Sequence, residues 1–183
     1  MFIQTETTPN PLTLKFIPGA SVMENGGTAF YTDVTMATDS PLALALFDIG
    51  GVRAVFLGSD FITVTRAENT SWEVLKPSLL NTIMEHFVSG QKVTTKKAEA
   101  SLETGEDSEI VKQIRELIDT RVRPAVAQDG GDIIYRGFED GIVKLELHGS
   151  CAGCPSSTMT LKNGIENMLR HYVPEVLAVE AVA

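Results

Sequence analysis

The chain has 183 residues, with 15 Lys and Arg against 24 Asp and Glu, a formal net charge of −9, and 43% hydrophobic residues. This is an ordinary balance for a globular chain, and its length suits one large or two small domains, which run about 100–150 residues. A pI near 4.8 argues against nucleic acid as partner, because binding to a phosphate backbone needs clustered Lys and Arg.

The N-terminus, Met1 to Pro9, has no basic segment followed by a long apolar one, and no Arg-rich, acid-poor bias. It therefore reads as mature structure rather than a targeting segment. The expected compartment is the cytoplasm, with the mitochondrial matrix after processing as the alternative. Alternation over Phe2–Thr7, the turn-prone Thr8-Pro9-Asn10-Pro11 and the run Leu12–Ile17 predict two strands around a Pro-broken connection. Ser40-Pro41 predicts a helix start, Ser40 as N-cap and Pro41 at the first helical position. The helix runs to about Phe47, before Gly50-Gly51. This most apolar run, Leu42–Phe47, ends at Asp48, far short of the roughly 18 residues a membrane span needs. Val52–Leu57 and Phe61–Thr65 predict a hairpin across Gly58-Ser59-Asp60. Trp72, Leu75, Leu79, Leu80, Ile83 and Phe87 recur at helical spacing, with Pro77 expected to kink that helix. His86 is expected at an exposed position, and this half shows no catalytic constellation.

Residues 89–107 are polar and rich in small residues, a composition with little apolar surface to offset ordering entropy. They are expected to form a flexible linker between domains at 1–88 and 108–183. Charge divides similarly: residues 1–97 hold seven Lys/Arg and nine Asp/Glu, residues 98–183 eight and fifteen.

In the second half, Ile110, Ile114, Leu117, Ile118 and Val122 share a helical face behind a cap at Asp107-Ser108-Glu109. Pro124 is expected to disturb that helix, and the segment Asp129-Gly130-Gly131-Asp132 to end it as a turn. Ile133–Phe138 and Ile142–His148 read as strands joined at Asp140-Gly141. Val143, Leu145 and Leu147 should face the core, and Lys144, Glu146 and His148 solvent. A helix from Ser156 to about His171 should turn Met159, Ile165, Met168, Leu169 and Tyr172 inward, and Val176–Val182 should close as a strand. The fold class is therefore α+β, two small α+β domains, the second ordered helix-strand-strand-helix-strand.

The two cysteines of the chain fall together in Cys151-Ala152-Gly153-Cys154. Two cysteines make no secreted disulfide framework, and bridging so short a loop adds only about 2 kcal/mol in the chain-entropy model. Pro155 suits the first position of the following helix. Cys154 then stands at or beside the N-cap, with Cys151 in the loop before it. Free N–H groups and the positive helix end favour thiolate there, and thiolate is both metal ligand and nucleophile. Gly149 and Gly153 allow a tight turn that lets two sulfurs address one object. Two thiolates complete neither a four-ligand zinc site nor a cubane cluster. The remaining ligands would come from a second copy, twofold dimers being the commonest oligomers, or in part from His148. Thiolates suit iron and zinc alike. A thiol–disulfide oxidoreductase using the pair is the alternative, although an antiparallel hairpin rather than a βαβ unit precedes the motif.

The run Arg123-Pro124-Ala125-Val126-Ala127-Gln128-Asp129-Gly130-Gly131-Asp132, with Gly149-Ser150-Cys151-Ala152-Gly153-Cys154-Pro155-Ser156-Ser157 and Leu161-Lys162-Asn163-Gly164-Ile165, resembles the NifU C-terminal (Nfu) domain. Thr5-Glu6-Thr7-Thr8-Pro9-Asn10-Pro11 with Leu14-Lys15-Phe16 resembles the N-terminal domain of two-domain Nfu proteins. The resemblance implies a non-enzymatic iron–sulfur cluster scaffold or carrier. Cys151 and Cys154 would hold a [4Fe–4S] cluster shared in a homodimer. Upstream assembly factors would supply it and apo iron–sulfur proteins receive it, with the N-terminal domain recognising partners.

Overall fold

The computed structural model describes residues 1–24, 26–95, 108–153 and 155–182, without the side chains of 155–157. Most of the expected linker, residues 96–107, and Cys154 lie outside the described residues. The chain divides into two compact units, Met1–Ala100 and Ser101–Ala183, and helices and sheets occur in both.

In the first unit, β1 (Gln4–Thr7), β2 (Thr13–Ile17), β3 (Ala29–Tyr31), β4 (Val52–Leu57) and β5 (Ile62–Arg66) form one sheet in the order β1-β2-β5-β4-β3. The four pairings are antiparallel. Alternation puts Leu14, Phe16, Val55, Leu57, Ile62 and Val64 into the core against α1 (Pro41–Phe47) and α2 (Trp72–Ser89). The predicted cap is present: Ala43 N–H donates to Ser40 Oγ at 3.1 Å. The Ser40 hydroxyl itself donates to Val93 O at 2.6 Å. Val93 is buried in this core, and Thr95 N–H donates to Asp39 O at 2.7 Å. Residues 93–95, read from composition as linker, thus pack onto the first unit.

The helix α2 runs through Pro77 without interruption, and one expectation for it changes. His86, expected to be exposed, is buried, with its Nε2 lacking a hydrogen-bond partner. Burial holds its pKa below the usual histidine value.

The second unit begins with α3 (Glu109–Leu117), a π-helical turn at Ile118–Val122, and α4 (Arg123–Gln128). Pro124 falls in the first turn of α4. Its missing N–H is tolerated there, so the sequence break resets the helix rather than ending it. β6 (Gly131–Glu139) and β7 (Ile142–Gly149) pair antiparallel, with a register shift between Tyr135 and Gly137. The turn between them has Asp140 at φ 51° and Gly141 at φ 76°, the positive values that make Asp-Gly a hairpin signal. After α5 (Pro155–Tyr172), β8 (Ala178–Val182) adds to β7 in parallel, giving the order β6-β7-β8. Ile114, Ile118, Val126, Ile133, Val143, Leu145, Ile165, Leu169 and Val179 form the core. Met159 and Tyr172, expected inside, are 67% and 46% exposed. The inward stripe of α5 runs through Ile165 and Leu169, and those two side chains lie off it.

Candidate metal centre

The loop between β7 and α5 carries the cysteine motif. β7 ends at Gly149, which pairs with Gly131 at the first position of β6. Gly149 at φ 65° and Gly153 at φ 76° bound the loop in conformations that side-chain-bearing residues rarely adopt. Ala152 N–H donates to Gly149 O at 3.1 Å. The Thr158 hydroxyl donates to Cys151 O at 3.2 Å, tying the loop to α5. Pro155 is the first residue of α5, as the missing N–H leads one to expect. Cys154 lies outside the described residues.

Cys151 is 6% exposed and belongs to the hydrophobic core. Its sulfur lies over Gly131, where a β-carbon would collide with Sγ. Burial pushes the thiol up to about 11; the Ser150 hydroxyl opposes this, and Asp129 and Asp132 reinforce it. The expectation of a resting thiolate is therefore corrected for Cys151. Desolvation of the charged form outweighs a helix-end effect confined to the first turn. Cys151 sits inward as a thiol, and a metal would have to displace its proton. Such a thiol also lacks the depressed pKa that activates redox CxxC nucleophiles.

The segment before β6 does more than turn. Ser150, almost fully buried, donates its hydroxyl to Asp129 O at 2.5 Å and its N–H to Gly130 O at 3.2 Å. Asp132 is also buried. Arg123 Nε and Nη2 donate to its two carboxylate oxygens at 2.8 and 2.9 Å, and Ile133 N–H donates at 2.8 Å. Hydrogen bonding to Asp132 raises the Arg123 pKa further, despite some burial. The bidentate pair fixes the end of β6 on which Cys151 rests. Sequence reasoning missed Arg123 and Ser150 as supports. The signal was the juxtaposition of Arg and acidic residues beside the glycine pair, which acquires meaning only once the register sets Gly131 against Gly149.

His148 departs from its expected exposure: its side chain is 14% exposed, with Nε2 2.8 Å from Glu146 Oε1. Arg136 Nε donates to Glu146 Oε2 at 2.5 Å. Burial pushes the Glu146 carboxyl up, but His148 and Arg136 together hold it below the usual range. Among the described residues, no group of three or more His, Cys, Asp or Glu side chains could hold a metal ion; His148 and Cys151 are not joined into one.

These features define a two-unit α+β protein whose second unit presents a cysteine loop between a hairpin and a helix. Residues 3–90 match the family model described as scaffold protein Nfu/NifU N terminal, and residues 114–180 match the NifU-like domain. The chain is 56% identical over 185 residues to the human protein named NFU1 iron-sulfur cluster scaffold homolog, mitochondrial, covering all of this chain and 72% of that one. It is 50% identical to the Drosophila ananassae protein of the same name, of which it spans 64%. Among solved structures it is similar to a NifU-like protein from Saccharomyces cerevisiae, with a TM-score of 0.48 at 24% identity, covering 53% of this chain and 87% of that one. The chain belongs to the Nfu/NifU family of scaffold proteins.

Proposed function

We propose that the protein carries an iron–sulfur cluster as cargo, binding a [4Fe–4S] cluster through the thiolates of Cys151 and Cys154 and passing it to apo iron–sulfur proteins. The observation that carries this reading is the Cys151 loop at the start of α5, flanked by glycines in positive φ, in a chain with two cysteines. One copy then supplies two of the four thiolates a cubane takes, so a second copy supplies the rest. Sulfurs beside a helix start receive N–H donors, which stabilise the anionic cluster and tune its lability. Transfer is thiolate exchange with the recipient's cysteines, so no bond in an organic substrate is made or broken and the protein is not an enzyme. The names of the human and Drosophila relatives support the scaffold role. They also favour the mitochondrion, the alternative to the cytoplasmic expectation. Residues 108–183 perform the cluster chemistry, and the first unit, which includes residues 93–95, recognises partners.

The test is anaerobic reconstitution with iron and sulfide, followed by transfer to an apo acceptor of a [4Fe–4S] cluster. About two irons per chain and activation of the acceptor support the reading. Tight zinc in a monomer with no transferable iron would overturn it.

A further inference from the structure

The segment Ser150–Ala152 lies between two glycines with positive φ, Gly149 and Gly153. Gly153 has open space around it and Gly149 stands at the end of β7, so a change of backbone angle at these two glycines moves the segment as a flap. In the structure the flap is down, with Cys151 Sγ lodged over Gly131 in a space that exists because residue 131 has no β-carbon. Ser150 bonds it to the neighbouring segment twice, through its hydroxyl on Asp129 O and its N–H on Gly130 O. Ser150 is 2% exposed, so the donor side of both bonds is buried, while the Asp129 end of the hydroxyl bond is partly exposed.

We propose that Ser150 is a positioning residue, a latch that holds Cys151 turned into the core and sets how readily the loop opens to present its sulfur. The biological meaning rests on Cys151 being a cluster ligand, but the latch is a property of the chain without cargo. A closed flap shields a nucleophilic sulfur from oxidants and stray metals. Loading then requires opening, so the Ser150 bonds, together with the Thr158 hydroxyl on Cys151 O, set the rate of cluster acceptance as well as thiol protection. Removing the hydroxyl leaves Asp129 O to find another donor and removes one of the two bonds.

The experiment uses the full chain with Cys154→Ser, leaving one thiol, with and without Ser150→Ala. Hydrogen exchange across residues 149–153 reads opening directly. Iodoacetamide alkylation of Cys151, followed across pH so that the plateau reports access, reads presentation of the sulfur. The latch predicts that Ser150→Ala speeds both by about tenfold, the scale of one hydrogen bond, while exchange in the β6–β7 hairpin around Leu145 is unchanged. Unchanged exchange at 149–153, or an equal rise throughout the second unit, would overturn the latch, the latter by showing a merely structural role. Gly131→Ala offers a second lever, since the added methyl should expel Sγ and raise alkylation with Ser150 intact. A folded Gly131→Ala chain with unchanged alkylation would overturn the lodged geometry, and if that variant does not fold, Ser150→Ala decides. The latch and the carrier role fail separately: a responsive loop in a chain that binds no cluster sinks the carrier role alone, and cluster loading with an unresponsive loop sinks the latch alone.

Discussion

Replacing Arg123 with Met should destabilise the second unit and leave the first untouched. Arg123 is 37% exposed at its side chain and Asp132 6%, so the change strips a buried carboxylate of its cation. Breaking a buried ion pair by removing one partner costs about 3–5 kcal/mol. Water can reach the partly exposed space left by Arg123, which reduces the expected cost to about 2–3 kcal/mol. With a urea m-value of about 1 kcal/mol per molar for a unit this small, the midpoint should fall by about 2–3 M. The chain's single tryptophan makes the assay selective. Trp72 begins α2 in the first unit, so its fluorescence follows that unit alone, while far-UV circular dichroism follows both. Arg123→Met should move the second-unit component of the dichroism transition and not the fluorescence transition. Adding Asp132→Asn should recover most of the loss, because a neutral amide buries without a cation. A dichroism midpoint unchanged in Arg123→Met, or a double variant worse than the single, would refute the reasoning.

Three further outcomes follow from the first unit and the cysteine loop. Ser40→Ala removes the α1 cap and the bond to Val93 O and should cost about 1–2 kcal/mol by Trp72 fluorescence; a loss below about 0.3 kcal/mol would contradict the double role. His86 has its pKa lowered by burial, so the unfolded chain takes up its proton first. Its contribution is therefore intact above about pH 6.5 and is lost as pH falls below that value. His86→Phe should flatten the fall in first-unit stability between about pH 7 and 5, and an identical pH slope in the variant would count against it. Cys151→Ser buries a hydroxyl in an apolar site and should lower second-unit stability by about 1–3 kcal/mol, yet abolish cluster loading in the chain that remains folded; normal loading would remove Cys151 as a ligand.

Where local chemistry decides conformation, the sequence was a good guide. Asp140-Gly141 announced the β6–β7 turn, Ser40-Pro41 the start of α1, and Pro155 the start of α5, because each depends on one or two residues' own preferences. The α+β class and the strand–helix order of the second unit followed from periodicity. What stayed hidden depends on distant partners. β3 has three residues, too few for alternation to register, and exists because β4 offers an edge. Val93 reads as linker until Ser40 and the core supply its surroundings. The burial of His86, the outward turn of Met159 and Tyr172, and the enclosure of His148 are all matters of helix phase or packing that a one-dimensional pattern leaves open. At the site, spacing singled out Cys151 as a candidate ligand but assigned it a thiolate. Only the close approach over Gly131 reveals a desolvated thiol, held by Ser150 and resting on a strand end pinned by Arg123 and Asp132.

The most direct test of the carrier reading is native mass spectrometry of the anaerobically reconstituted full chain. The account predicts a species of two chains holding one four-iron, four-sulfide cluster, converted to cluster-free monomer by Cys151→Ser or Cys154→Ser. An intact cluster on a single chain, or a fully loaded pair in either serine variant, would contradict it.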